Sequence, residues 1–228
     1  MQANAAFHES IYYRTDDALV VAQYLPSTLT TEIGGAPVTL TQEDDPQTDS
    51  VIHISDMDTT VYDRPNSSAV RLSIKAQGQR FALRLRCPWW LRGDATLLID
   101  GRPLDCEPAD GYLSIEREWH DERLSLRLPK GLSAWPLSDR GDTVAFLDGP
   151  VALAGLCAEQ RTLYGNVLRP ETLLIPDNER EWASWTPYYR TINQPVNFRF
   201  APLYEIGYEP YTVYFQIMDR PVFLANNS

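Results

Sequence analysis

Cysteine is scarce in this chain: Cys87, Cys106 and Cys157 are the only three among 228 residues, and no two form a Cys-x-x-Cys pair. An odd, widely spaced set supplies neither a disulfide framework nor a zinc ribbon. Cys87 reads as a buried thiol on an apolar strand face, and a Cys87–Cys106 bridge is a pairing that only geometry decides. Positive charge is short as well. Twenty Lys and Arg stand against 31 Asp and Glu, a net charge of -11, and no basic cluster offsets it locally, so the composition argues against nucleic acid and against an anionic membrane surface as partners. No apolar run approaches the length of a membrane span, and Met1 to Ala6 lack the charged and apolar regions of a secretory signal, so the sequence assigns no compartment. That opening reads as a cut end. Also missing are a glycine-rich phosphate loop, a His-Glu-x-x-His pair and a Gly-x-Ser-x-Gly elbow. His8, His53 and His120 are far apart, with His120 in an expected surface turn, Trp119 to Glu122, so no metal site and no catalytic residue is assigned.

What the chain does have is alternation. Phe81, Leu83, Leu85 and Cys87 point one way while Arg80, Ala82, Arg84 and Arg86 point the other, the period of a strand with one buried face. Leu113, Ile115 and Trp119 repeat the pattern, as do Leu124, Leu126 and Leu128, with Asp100-Gly101 as a turn between strands. Seventeen prolines and twelve glycines spread along the chain favour many short strands over long helices. Earlier segments fit the same reading: two strands around Thr15 to Asp17, a Gly34-Gly35 turn feeding a strand through Val38 and Leu40, and strands at Val51 to Ile54 and Val70 to Ile74. Glu43 to Asp45 reads as a solvated acidic loop, and Asn66-Ser67-Ser68 fits a glycosylation acceptor. The pattern pauses at Trp135 to Asp142, a polar crossover expected to separate two domains. It restarts at Thr143, with Asp177 expected to cap a short helix and aromatic strands at Asn197 to Phe200 and Tyr211 to Ile217 closing the chain. The expectation is all-β: two antiparallel, jelly-roll-like β-sandwich domains, residues 1–130 and 131–228.

Two features invite a functional reading. Glu116 and Glu118 lie two apart on one strand, about 7 Å, a spacing a glycosidase uses; Arg84, Arg86 and Arg127 on nearby polar faces instead suit a cross-strand charge ladder. Arg117, out of place on the inward face, is expected at an edge or bulge. Aromatic residues are the second feature. Trp89, Trp90, Trp182, Trp185, Tyr188 and Tyr189 are candidate platforms for a carbohydrate, against the weightier reading that such rings fill the core or a domain interface. Consecutive tryptophans on a strand end face opposite ways, so Trp89 and Trp90 cannot share one core.

With these residues in view, the sequence resembles the post-catalytic region of the bacterial β-L-arabinofuranosidase family of glycoside hydrolases. The resemblance is carried by Phe81 to Trp90, Asp100-Gly101 and Gly111 to Trp119, flanked by Ser10 to Ser27, Val144 to Gly155, Ala201 to Ile206 and Tyr211 to Phe215. It implies a catalytic (α/α)₆ barrel outside this chain, carrying a cysteine nucleophile, a glutamate acid/base and a zinc ion. Cys87, Cys106 and Cys157 match none of those positions, so the resemblance implies no cofactor in this chain. On that reading residues 1–130 follow the barrel and 131–228 form the C-terminal domain. The implied partner is the barrel or its homologue, with a glycan or a second copy of the chain as further candidates. Ala22-Gln23 and the long loop Asp56 to Ser68 depart from the family pattern.

Overall fold

A computed structural model describes residues 9–44, 66–177, 180–181 and 184–219, with backbone alone at 180–181 and 184–185. Among them the chain divides into two compact units, one ending at Lys130 and the other beginning at Gly131. Both are β structures, so the all-β expectation holds.

The first unit contains β1 (Tyr12–Arg14), β2 (Ala18–Val21), β3 (Ser27–Ile33), β4 (Ala36–Asp44), β5 (Ser67–Arg86), β6 (Thr96–Ile99), β7 (Arg102–Leu104) and β8 (Tyr112–Pro129). Its hairpins are set by residues that tolerate the left-handed region. Gly34 and Gly35 (φ 60° and 78°) join β3 to β4, and Asp100 and Gly101 (φ 49° and 78°) join β6 to β7, the chemistry of a two-residue hairpin turn.

β5 and β8 organise this unit. They hold 20 and 18 residues, and a straight strand of that length would run about 65 Å, far beyond the width of a domain this size. They bend together instead. Lys75 pairs with Asp121 and Gln79 with Trp119, so three residues, Ala76 to Gly78, face His120 alone. This bulge turns both strands through a corner. Before it, β5 pairs antiparallel with β4; after it, β5 pairs parallel with β2. The inward residues of both halves, among them Leu72, Ile74, Leu83, Leu85, Leu113, Leu124 and Leu126, fill one core with Leu19, Val21, Val38 and Leu40. Each such side chain contributes roughly 1.5–3 kcal/mol by leaving water.

Several expectations are corrected here. The sheet is mixed, since β2–β5 is parallel. The expected turn at Trp119 to Glu122 is absent because β8 continues unbroken through these residues, bending at the bulge, and Glu43 and Asp44 extend β4 opposite Arg71 and Val70. His8, the Val51 to Ile54 strand with His53, and most of the Asp56 to Ser68 loop lie outside the described residues, whereas Ser67 and Ser68 begin β5.

The second unit contains β9 (Leu132–Pro136), β10 (Thr143–Asp148), β11 (Val151–Gly155), β12 (Thr162–Tyr164), β13 (Leu174–Pro176), β14 (Arg180–Glu181), β15 (Ser184–Trp185), β16 (Tyr189–Thr191), β17 (Arg199–Pro202) and β18 (Tyr214–Met218). The main sheet runs β12-β18-β10-β11-β17-β16-β13, with β9 on β10 and a parallel β12–β18 pair. Val144, Phe146, Leu153, Leu163, Phe200, Phe215 and Ile217 form its core. Trp135 and Pro136 end β9, with Trp135 paired to Ala145, so the non-strand connection expected from Trp135 to Asp142 is confined to residues 137–142. The expected helix after Asp177 is replaced by the β14–β15 pair, and the Asp177 carboxylate accepts from Arg199 Nε at 2.8 Å instead of capping a helix.

Candidate functional site

Glu116 and Glu118 occupy the outward face of β8 beyond the bulge. Alternation places them there, but the bulge decides their neighbours: Glu116 stands opposite Ala82 and Glu118 opposite Arg80. Glu116 Oε1 accepts from Arg80 Nε at 3.1 Å, with both side chains largely exposed, an ion pair worth at most about 1 kcal/mol. The Arg84, Arg86 and Arg127 of the expected ladder lie elsewhere. Arg84 and Arg86 face Ser114 and Tyr112, Arg127 faces Ala69 and Thr96, and Arg86 donates to the Ala22 carbonyl at 3.3 Å. Neither glutamate lines a described cavity. A retaining or inverting pair needs a cleft between its carboxylates in which the scissile bond can sit, and a flat outer sheet face provides none.

Arg117 and Glu122 brace the corner. The Arg117 guanidinium lies 5.4 Å from the centre of the Trp119 ring and reaches Glu122 Oε1 at 3.3 Å. Glu122 is buried, and its other oxygen accepts the His120 backbone N–H at 2.8 Å. Arg117, expected on the inward face at an edge or bulge, lies three residues before His120 with its side chain 43% exposed.

Where β5 and β8 curve, a groove of about 560 Å³ opens on the outer face, lined by Arg71, Lys75 and Arg123 against Glu43 and Asp121. Glu43 is directly across from Arg71, and Lys75 from Asp121. The charges therefore alternate across the strands, as in a ladder that fixes register.

The aromatic candidates separate. Trp89 and Trp90 fall in a turn just past β5; Trp89 is 55% exposed while Trp90 packs on the first core. Tyr189 is 5% exposed and belongs to the second core, leaving no ring face for a ligand. Tyr188 is half-buried, and Arg199 lies 5.4 Å from its ring centre. The backbone of Trp185 lies in β15, its side chain and all of Trp182 being outside the description.

The three cysteines are free thiols, each half-buried. Burial pushes the Cys87 and Cys157 thiols up from their ordinary values, which disfavours the reactive thiolate. Among the described residues no three His, Cys, Asp or Glu side chains gather as a metal site. None of the described helices is long and apolar enough to cross a membrane.

Exposed aromatics that the sequence did not single out lie in the second unit. Trp135 and Tyr214 are both directly opposite Ala145, one on each side of β10. The signal was available as the alternation Tyr214, Gln216, Met218 against buried Phe215 and Ile217, but Trp135 was hidden by Pro136 and the polar residues that follow.

Residues 18–130 match the family model described as β-L-arabinofuranosidase, GH127 middle domain. No curated protein matches this chain. Among solved structures, a GH127 β-L-arabinofuranosidase from Geobacillus stearothermophilus T6 superimposes with a TM-score of 0.65 at 22% identity, covering 94% of this chain and 36% of that one. A second GH127 β-arabinofuranosidase gives 0.61 at 18% identity over 91% of this chain and 36% of its own length. A structure described as a glycoside hydrolase gives 0.61 at 18% over 92% and 37%. At these identities the likeness is one of fold, and this chain spans little more than a third of each matched structure.

Proposed function

We propose that this chain is a non-catalytic β portion of a glycoside hydrolase related to the GH127 β-L-arabinofuranosidases, and that hydrolysis is carried out by a catalytic unit outside these 228 residues. The match of residues 18–130 to that family's middle domain carries the reading. The outward, Arg80-paired Glu116 supports its non-catalytic half, because a carboxylate exposed on the outer sheet face and already engaged by a guanidinium has no wall against which to hold a sugar. In this reading the two β units follow a helical barrel, which would bear the nucleophile, the acid/base and the zinc ion. The chain's own part is to support that barrel, or to hold two copies of the enzyme together.

The test is an assay of 4-nitrophenyl β-L-arabinofuranoside with two proteins: the 228-residue chain, and the product of the complete reading frame that encodes it. No turnover by the first and turnover by the second is the expected result. Hydrolysis by the 228-residue chain that disappears in Glu116→Gln overturns the non-catalytic role. A complete product inert on furanosides overturns the family reading.

A further inference from the structure

We infer that the outer face of β9, β10 and β18 is a saccharide-stacking site built from Trp135, Ala145 and Tyr214. The proposal goes beyond the reading above and leans on it only for the choice of sugar probe.

Register puts the three side chains in one row. Ala145 pairs with Trp135 on one side and with Tyr214 on the other, and residues directly opposite each other in a sheet share a face. That face points outward: Trp135 is 55% and Tyr214 49% exposed, whereas Val144, Phe146 and Phe215, their neighbours in sequence or register, are fully buried. The two aromatic side chains therefore rise from strands about 10 Å apart, twice the interstrand spacing, with only a methyl group between them. A sugar ring contacts an aromatic face at about 3.5–4.0 Å. The row thus carries an exposed aromatic side chain on each side of Ala145, whose methyl group adds little height to the sheet face. Sugar C–H bonds are weak donors toward the electron-rich ring faces.

The next row is polar and prearranged. Thr143 pairs with Gln216 on the same outward face, two residues from Ala145 and Tyr214. Gln216 Nε2 donates to Asp142 Oδ2 at 2.9 Å, and the Thr143 hydroxyl donates to Asp142 Oδ1 at 3.2 Å. An ionised carboxylate only accepts, so it fixes the Gln216 amide with its NH₂ toward Asp142 and its carbonyl oxygen turned away as an acceptor. The hydrogen bond from Gln216 also holds the Asp142 carboxyl below its ordinary range. Apolar walls beside fixed hydroxyl acceptors complement a ring with C–H faces and an O–H rim. An apolar protein surface would have to desolvate the charged Asp142 without offering it donors.

The experiment titrates the full 228-residue chain with arabino-oligosaccharides, and in parallel with xylo- and galacto-oligosaccharides, following heat and tryptophan fluorescence. Saturable binding by at least one series is expected, weakened about five- to tenfold in Trp135→Ala and again in Tyr214→Ala, and removed in Ala145→Leu, which fills the floor. Gln216→Ala weakens binding without touching the walls, and Trp89→Ala, altering the exposed tryptophan of the first unit, leaves it unchanged. Each variant must keep the parent's melting temperature within a few degrees, so that lost binding is not lost folding. No saturable binding with any series overturns the proposal, as does binding that survives Trp135→Ala and Tyr214→Ala together. Self-association abolished by Trp135→Ala, with no sugar bound, would make the face an interface between copies and equally overturns it. Failure here leaves the hydrolysis assay of the complete product untouched, so the two readings stand or fall separately.

Discussion

The indole Nε1 of Trp119 donates to the backbone carbonyl of Phe81 at 2.9 Å inside the first core, and the two rings lie 5.8 Å apart. This bond ties the strands together just past the bulge, where the ladder between β5 and β8 resumes. Trp119→Phe keeps an aromatic ring but removes the donor and leaves a void. The lost partner of a buried acceptor costs about 1–3 kcal/mol, and the unfilled volume adds to it. Urea denaturation should show a loss of about 2–4 kcal/mol; a loss under about 1 kcal/mol, within the error of extrapolation, would mean that the bond does not brace the corner.

The bulge itself depends on Gly78. Its φ is +86°, and a Cβ there would lie 3.2 Å from His120 Cε1. Gly93 has φ +102° with open space around it. Gly78→Ala and Gly93→Ala should each cost about 1–2 kcal/mol for the left-handed backbone, and only the first should improve when His120→Ala is added. Equal response of both variants to His120→Ala would remove the steric part of this account.

How much of this was legible follows from where each signal lives. Alternation in Phe81 to Cys87 and Leu124 to Leu128 is local, so the inward faces of β5 and β8 could be read directly, as could the Asp100-Gly101 hairpin. The corner could not. Ala76 to Gln79 looks like an ordinary polar turn, and that three residues there oppose one is a property of the pairing, not of either segment. The partner of Glu116 was missed for the same reason, since it is Arg80 only once the bulge has set the register. The parallel β2–β5 pair joins residues more than sixty apart in the chain. Among the aromatics, composition flagged Trp89-Trp90 because they are adjacent, whereas Trp135 and Tyr214 become neighbours only through β10.

Tyr24 sets an alkaline limit. Its ring packs on the first core and its hydroxyl donates to the Arg86 carbonyl at 2.6 Å. Burial, followed by the neighbouring Cys87, raises the phenol pKa above its ordinary 10.0. The folded state thus holds this proton more tightly than the unfolded one, so the contribution is complete below pH 10 and is lost as pH rises past 10 toward the folded value. Tyr24→Phe should lose about 1 kcal/mol at pH 7, the usual worth of one hydrogen bond. Above pH 10 its stability should fall less steeply than the parent's, by the equivalent of one proton. Parallel slopes in urea titrations at pH 9, 10 and 11 would show that Tyr24 ionises freely.

The second unit has a comparable tight point at Gly155. A Cβ built there would lie 2.5 Å from Phe215 Cζ, 2.9 Å from Phe198 Cε2 and 3.1 Å from Phe200 Cζ. The three rings cannot simply slide, because each leans on another: Phe198 and Phe215 have centroids 5.7 Å apart, Phe200 and Phe215 5.1 Å, and Phe146 meets Phe200 edge-on at 5.7 Å. The glycine also holds a backbone bridge to Thr212, with both N–H groups donating to the opposite carbonyls, so the strand has little room to retreat. Gly155→Ala should therefore destabilise by about 1–3 kcal/mol through overpacking, and the near-ultraviolet circular dichroism of the aromatic cluster should change with it. Phe215→Leu removes the nearest ring atom at the price of a cavity. Introduced alone it is destabilising; combined with Gly155→Ala it should cost less than the sum of the two, by about 0.5–3 kcal/mol of coupling. Strict additivity in that double-mutant cycle would show that the close approach of Gly155 to Phe215 is not what requires glycine there.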